Sequence, residues 1–342
     1  MQSRDKASNQ LKMNQISRRQ ALKQTLFFAA TMALGTSGRR LRAREIPSGD
    51  LHFLMIGDWG PAPSSTVQFK AQQAVASGMK QYVESMKLRP EGLFLLGDNF
   101  YGEFKGGVNS PRWKINFEDM YPSETFPGPC WAMLGNHDYS EEVGVKMEAE
   151  LAYASACPNT RWTMPAKYYR FEWPKKNPLV SCLVLDSNYP NNNHSMTDAE
   201  REEQLVWLKT ELAKPRVAPW LVCMAHHPLY SNGIHGDQPK LIEDWSPIFE
   251  KHKVDFYFCG HDHDLQHLEF ENTRTSYVVS GGGGARVYEL KRTERGPFAK
   301  QAYGFTHLQV NNETFTVRHI DANQKQLHAF TKQPNGKIKV IS

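Results

Sequence analysis

At five separated points the 342-residue chain carries an apolar run that ends in side chains able to hold a metal. Gly57-Asp58-Trp59-Gly60 follows residues 51–56, Gly97-Asp98-Asn99-Phe100-Tyr101 follows 93–96, and Gly135-Asn136-His137-Asp138 follows 130–134. His226-His227-Pro228 follows 220–225, and Gly260-His261-Asp262-His263 follows 254–259. Each motif alone is an ordinary turn signal, because Asp and Asn hydrogen-bond their own backbone. Together they form a donor set, with oxygen from Asp58, Asp98, Tyr101 and Asn136 and imidazole nitrogen from His226, His261 and His263. Such donors suit borderline-to-hard transition ions, and the lack of clustered thiolates argues against an iron–sulfur cluster or structural zinc. Seven donors are too many for one tetrahedral ion. They suffice for two ions sharing a bridge, about 3.5–4 Å apart, which clamp the attacking and leaving oxygens of phosphoryl transfer.

Residues so far apart meet only if strands carry them to one edge. Apolar runs at 51–56, 93–96, 130–134, 179–185, 220–225, 254–259 and 277–280 read as buried strands. Amphipathic stretches at 67–86, 142–156, 198–212 and 240–252 read as helices, the third with Asp198 as its N-cap. Beyond Tyr303 short alternating strands follow, with a turn at Asn335-Gly336. The alternation predicts an α/β (layered α+β) fold, whose strand carboxyl ends are where sites assemble. With no repeat and no Pro, Gly or Ser-rich linker, residues 50–342 read as one catalytic domain.

The segments 97–101, 135–138 and 259–263 are the most specific part of a resemblance, from about Leu51 to Gly284, to the purple acid phosphatases. The match is to the short, single-domain type within the calcineurin-like metallophosphoesterase superfamily. The resemblance implies an αββα sandwich, two mixed sheets flanked by helices, with the metal site at the strand carboxyl ends. It puts Asp58, Tyr101 and His263 on a ferric ion, Asn136, His226 and His261 on a divalent ion (iron, zinc or manganese), and Asp98 between the two. Tyr101, three residues after Asp98, separates this family from the broader superfamily. A phenolate favours Fe(III), and its charge transfer would colour the protein. His137 and His235, the latter nine residues after His226, fall on the outer-sphere catalytic histidines that hold phosphate and help protonate the leaving alkoxide. The implied activity is acid hydrolysis of small phosphomonoesters by in-line attack of a metal-bound hydroxide, releasing inorganic phosphate. Short animal members join the loop after Asp186 to the loop after His235 by a disulfide, but residues 188–197 and 236–245 contain no Cys, so that clamp is not expected. Residues 188–196 read either as a specificity loop over the site or as a solvated turn.

Two rivals stand beside this reading. One is a phosphodiesterase or nucleotide/pyrophosphate hydrolase on the same scaffold. The other is a non-hydrolytic metal-bearing protein that binds phosphate or cycles electrons, which would have no need of His137 and His235.

Charge narrows the partners. Residues 1–44 hold ten Lys or Arg against one acid, Asp5, so that segment carries +9 of a formal net +5 and the body carries −4. A basic nucleic-acid footprint on the body is not expected. Ser17-Arg18-Arg19-Gln20-Ala21-Leu22-Lys23 followed by a short apolar stretch reads as a bacterial export signal resembling the twin-arginine type, which would route the protein to the periplasm or outside the cell. That apolar stretch, near residues 26–34, is about half the roughly 20 residues a membrane span needs. Cys130, Cys182, Cys223 and Cys259 lie in strand-like runs and read as buried thiols. Gly281 to Gly284 lack the Lys-Ser/Thr of a nucleotide loop and read as backbone passing close to the metal site. His194, His227 and His267 read as core or surface histidines, and Trp59, Trp131 and Trp207 as packing.

Overall fold

The apolar runs pair as expected into strands of two mixed sheets in the computed structural model, which describes residues 49–140, 145–189 and 195–341. The first sheet runs β15 (Ile338–Val340), β14 (Gln326–Lys332), β13 (Phe315–Asp321), β12 (Gly304–Val310), β1 (Leu51–Ile56), β2 (Gly92–Leu95), β3 (Cys130–Ala132), β4 (Trp162–Thr163). The second runs β11 (Phe298–Lys300), β9 (Leu265–Leu268), β10 (Ser276–Ser280), β8 (Phe256–Cys259), β7 (Trp220–Met224), β6 (Val180–Val184), β5 (Tyr169–Trp173). Strands β1 to β4 are mutually parallel, as are β6, β7, β8 and β10, while the remaining pairs are antiparallel.

Alternation along each strand decides which layer a side chain enters. Val222 and Met224 of β7, with Phe256 and Phe258 of β8, join Phe53, Leu54 and Phe305 in one core shared by both sheets. The intervening Leu221, Cys223, Tyr257 and Cys259 face the other way, into a second core with Leu205, Leu208, Trp245 and Phe249 from two helices. Those helices are α4 (Asp198–Ala213) and α5 (Pro239–His252). On the first sheet, α1 (Thr66–Ser85) buries Val75, Ala76, Met79, Tyr82 and Val83, the i, i+3, i+4, i+7 stripe of an amphipathic helix. The layers are therefore helix, sheet, sheet, helix, and truncating a core aromatic such as Phe258 costs about 3–5 kcal/mol.

Two local expectations change. Asp198 is the first helical residue of α4 rather than its cap. Thr197 caps it instead, accepting from the Glu200 amide while the Glu200 carboxylate accepts from the Thr197 amide at 2.8 Å. Strands β4, β5, β9 and β11 were hidden because they are short or rich in polar residues. The helix expected over 142–156 is described from Val145 onwards as α3 (Val145–Ala156), after the one-turn α2 (Asn136–Tyr139). All five cysteines are free, four of them buried. The leader 1–44, His194 and the middle of the 188–196 loop lie outside the described residues. Among the described residues no helix is long and apolar enough to cross a membrane.

Candidate metal centre

The parallel strands β1, β2, β3, β7 and β8 all end at the same edge, and the turns that follow aim their side chains at one point. Asp58, Asp98 and His261 achieve this with left-handed backbone, at φ +59°, +48° and +70°. In non-glycine residues that conformation costs on the order of 1 kcal/mol each and is kept where the surroundings enforce it. Two glycines let the turns close in. A Cβ on Gly135 would lie 2.2 Å from the Asp98 backbone nitrogen, and one on Gly281 would lie 2.1 Å from the Asp262 carbonyl oxygen and 2.8 Å from Asp58 Oδ2. The Gly281 to Gly284 run therefore does pass close to the site, and its neighbours bond to the β1 turn through Gly283 N–H to Gly57 O and Ala285 N–H to Asp58 O.

The donors separate into two groups. Tyr101 Oη lies 3.2 Å from Asp58 Oδ1, 3.0 Å from Asp98 Oδ2 and 3.2 Å from His263 Nε2. Asn136 Oδ1 lies 3.2 Å from His226 Nε2 and 3.0 Å from His261 Nδ1, and those two nitrogens are 3.3 Å apart. Asp98 belongs to both, with Oδ2 toward Tyr101 and Oδ1 3.4 Å from His226 Nε2. Asp58, Asp98 and His226 are essentially inaccessible to solvent.

The backbone fixes which nitrogens face inward. His226 Nδ1 lies 2.8 Å from Leu96 O and His263 Nδ1 lies 2.6 Å from Arg286 O. A carbonyl can only accept, so each Nδ1 carries a proton and Nε2 is the nitrogen turned to the centre. Tyr101 has one hydroxyl proton for three acceptors, and Asn136 Oδ1 gathers ring nitrogens of His226 and His261 within 3.2 Å. Bound cations satisfy such a buried gathering of donor atoms. The protein's own groups do not ionise the phenol: burial first, then the carboxylates of Asp98 and Asp58, push Tyr101 well above its ordinary value. A bound cation reverses that balance. The residues fit a two-cation cage.

His137 and His235 flank this cage. The His137 ring stacks obliquely 4.4 Å from the Tyr101 ring, and its amide donates to Asp98 Oδ1 at 2.8 Å. The His235 ring lies 4.2 Å from the His261 ring, with Nδ1 3.6 Å from Asp262 Oδ1.

Several supporting residues escaped sequence reasoning. Asp262, between the two motif histidines, accepts from the His235 amide and from the Ser231 hydroxyl, so it holds the His235 loop. Arg112 donates to the carbonyls of Gly60 at 2.8 Å and Tyr101 at 2.9 Å, tying the first two site turns together. Tyr288 stacks on His263 at 4.5 Å. His227, read as a plain core or surface residue, lines a cavity of about 580 Å³ with Asn136, His235 and His261, and only its adjacency to His226 could have hinted at this. Burial, then the neighbouring His226, pushes its imidazole down to about 3. His267 is a core residue, bonded to His328 and Glu269. Trp59 and Trp131 are buried in the core, and the half-buried Trp207 packs on Tyr168. Of the 188–196 loop, Tyr189 lines the cavity and Met196 N–H bonds back to Asn188 O.

Comparison with known proteins agrees with this geometry. Residues 49–265 match the family described as calcineurin-like phosphoesterase. The chain is 29% identical to tartrate-resistant acid phosphatase type 5 of Sus scrofa, covering 90% of this chain and 94% of that one. It is 31% identical to purple acid phosphatase 7 of Arabidopsis thaliana, over 82% and 85% respectively. Among solved structures, GAP50, described as the anchor in the inner membrane complex of Plasmodium, superposes with a TM-score of 0.68 at 21% identity, over 82% of this chain and 88% of that one. That likeness shows the fold alone.

Proposed function

We infer, from the premise that this chain belongs to the calcineurin-like phosphoesterase family and is of the purple acid phosphatase type, that it hydrolyses phosphomonoesters at a binuclear metal centre. The observation that carries the reading is Asp98, whose two carboxylate oxygens face two different donor groups. A fold shared with an anchor protein does not decide activity; the cage does.

In this reading Asp58, Tyr101 and His263 would hold Fe(III), Asn136, His226 and His261 would hold a divalent iron, zinc or manganese, and Asp98 would serve both. When bound, the ions supply Lewis-acid stabilisation of the phosphate oxygens and activation of water. The protein's own groups do the rest. His137, on the Tyr101 side, and His235, on the His261 side, grip the phosphate oxygens from opposite flanks. With Nδ1 turned toward Asp262, His235 offers Nε2 to the oxygen that departs, handing it a proton. Residues 1–44 act as a twin-arginine-like export signal and residues 50–342 as the catalytic domain, placing the mature enzyme in the periplasm or outside the cell.

The test is one purification. Two metals per chain including iron, a visible absorption band, and faster turnover of an aryl phosphomonoester than of the matching bis-ester are expected. One metal per chain, or preference for the bis-ester, overturns the reading.

A further inference from the structure

The cavity beside the cage presents a wall to whatever is attached to the phosphate. It is lined by Asn136 and His261 and further by Ser187, Asp198, Gln238 and Leu241. Four properties of that wall matter.

First, Ser187 holds the His227 ring in place. Ser187 Oγ accepts the His227 backbone N–H at 2.9 Å and lies 2.8 Å from Nδ1, fixing the ring at both points. When Ser187 gives its hydroxyl proton to Nδ1, Nε2 carries the ring proton and is the polar edge that His227 offers to the cavity. A ring nitrogen of His227 also lies within 4.8 Å of ring nitrogens of His226 and His261, so the ring borders the cage.

Second, the wall's cations are compensated. Arg201 makes a two-pronged pair with Asp244 at 2.9 and 2.7 Å, and Lys240 pairs with Glu243 at 2.9 Å and Asp244 at 3.4 Å. Asp198 adds negative charge. Among the described residues, a leaving group bearing a second phosphate or a carboxylate meets no uncompensated Lys or Arg in this wall.

Third, the Tyr189 ring is already in use. The Arg201 guanidinium lies over it at 5.3 Å, and Trp245 meets it edge-on at 6.0 Å. Among the described residues of the wall Tyr189 is the one Phe, Tyr or Trp, so a nucleobase or aryl ring finds little free face there. Fourth, Ser187, Gln238, Asp198 and His227 are all hydrogen-bonding groups, with Leu241 the aliphatic exception.

We propose that His227, oriented by Ser187, is a specificity-determining residue that donates Nε2–H to a hydroxylated, uncharged leaving group, making polyol or sugar phosphomonoesters the preferred substrate class. The proposal rests on the phosphatase reading above and names the substrate class of that same site.

The test uses metal-loaded protein with glycerol 3-phosphate, phenyl phosphate and adenosine diphosphate. Wild type should favour glycerol 3-phosphate over the diphosphate by tenfold or more in kcat/KM. His227→Phe should lower the glycerol-to-phenyl ratio at least fivefold, mainly through KM. His227→Gln, which keeps a donor at similar reach, should restore part of it. Ser187→Ala should lower the ratio in the same direction, and nitrogen-15 shifts of His227 should report the Nε2–H tautomer in wild type. An unchanged ratio in His227→Phe and Ser187→Ala, or a preference for the diphosphate, overturns the proposal. If no ester turns over, the phosphatase reading falls instead. Dissociation constants of glycerol 3-phosphate and phenyl phosphate, by NMR titration of wild type and His227→Phe, then decide the role of His227, an equal ratio overturning it.

Discussion

Asp138 accepts the backbone N–H of Asn99 at 2.9 Å, so the turn after β3 clamps the turn after β2. The same carboxylate accepts from Phe100 N–H at 3.1 Å and Gly135 N–H at 2.8 Å, and Asn99 continues the network to Glu150 Oε2 at 2.8 Å. Asp98, Tyr101 and Asn136 lie within this clamp, which fixes their spacing before any cation arrives.

Asp138→Ala leaves three buried amides without their acceptor and should destabilise the fold by about 3 kcal/mol. Urea unfolding of wild type and variant reads this directly. An unchanged midpoint would mean that water or a shifted side chain replaces the carboxylate at no cost.

Tyr101→Phe removes the one phenolic oxygen in the cage while keeping the ring that packs on His137. The variant should stay folded and lose the visible band. A spectrum unchanged in position and intensity refutes the assignment of iron to the Tyr101 side.

His137→Ala and His235→Ala should each reduce kcat roughly a hundredfold, the ordinary worth of a positioned proton-transfer group, with metal content per chain unaltered. Parallel loss of metal and activity would instead place these rings among the cage ligands.

Acid should weaken the fold through histidines far from the cage. His307, bonded to Tyr82 Oη and His52 Nδ1 at 3.0 Å each, is pushed by burial down to about 3, and burial drives His319 well below its ordinary value. At these two histidines the unfolded state therefore binds more protons than the folded one between pH 3 and 6.5, and the stability they contribute above pH 6.5 is lost as pH falls. For His307 alone the loss is about 2 kcal/mol by pH 5. Denaturation at pH 7 and pH 5 should show this slope, reduced in His307→Gln. An identical slope in both proteins would rule His307 out as a source.

Changing Arg18 and Arg19 together to Lys should leave the precursor in the cytoplasm, detected by cell fractionation. Unimpaired export would count against a twin-arginine route.

The cage was the most legible part of the chain, because metal chemistry restricts residue types and each donor stands directly after an apolar strand. Tyr101 three residues past Asp98, and the His-x-His of 261 and 263, are local patterns that survive without knowledge of the fold. Strands β5 and β9 were not legible, since half-buried YRFEW and the polar-interrupted LQHL become strands only when a neighbour's edge is available. Arg112 and Asp262 were missed for a related reason, as their bonds reach other turns and leave no mark in local spacing.

The amino-acid order by itself determined the donor chemistry, the two-layered alternation of strand and helix, and the sign of charge on leader and body, all of which depend on residue type and short-range period. Tertiary structure alone decided that Asp98 faces both donor groups, that His227 borders a cavity, and that the cavity's cations are already paired. Those are relations between side chains up to 200 or so positions apart, set by how β1, β2, β3, β7 and β8 stack at a common edge, and no periodicity along the chain encodes them.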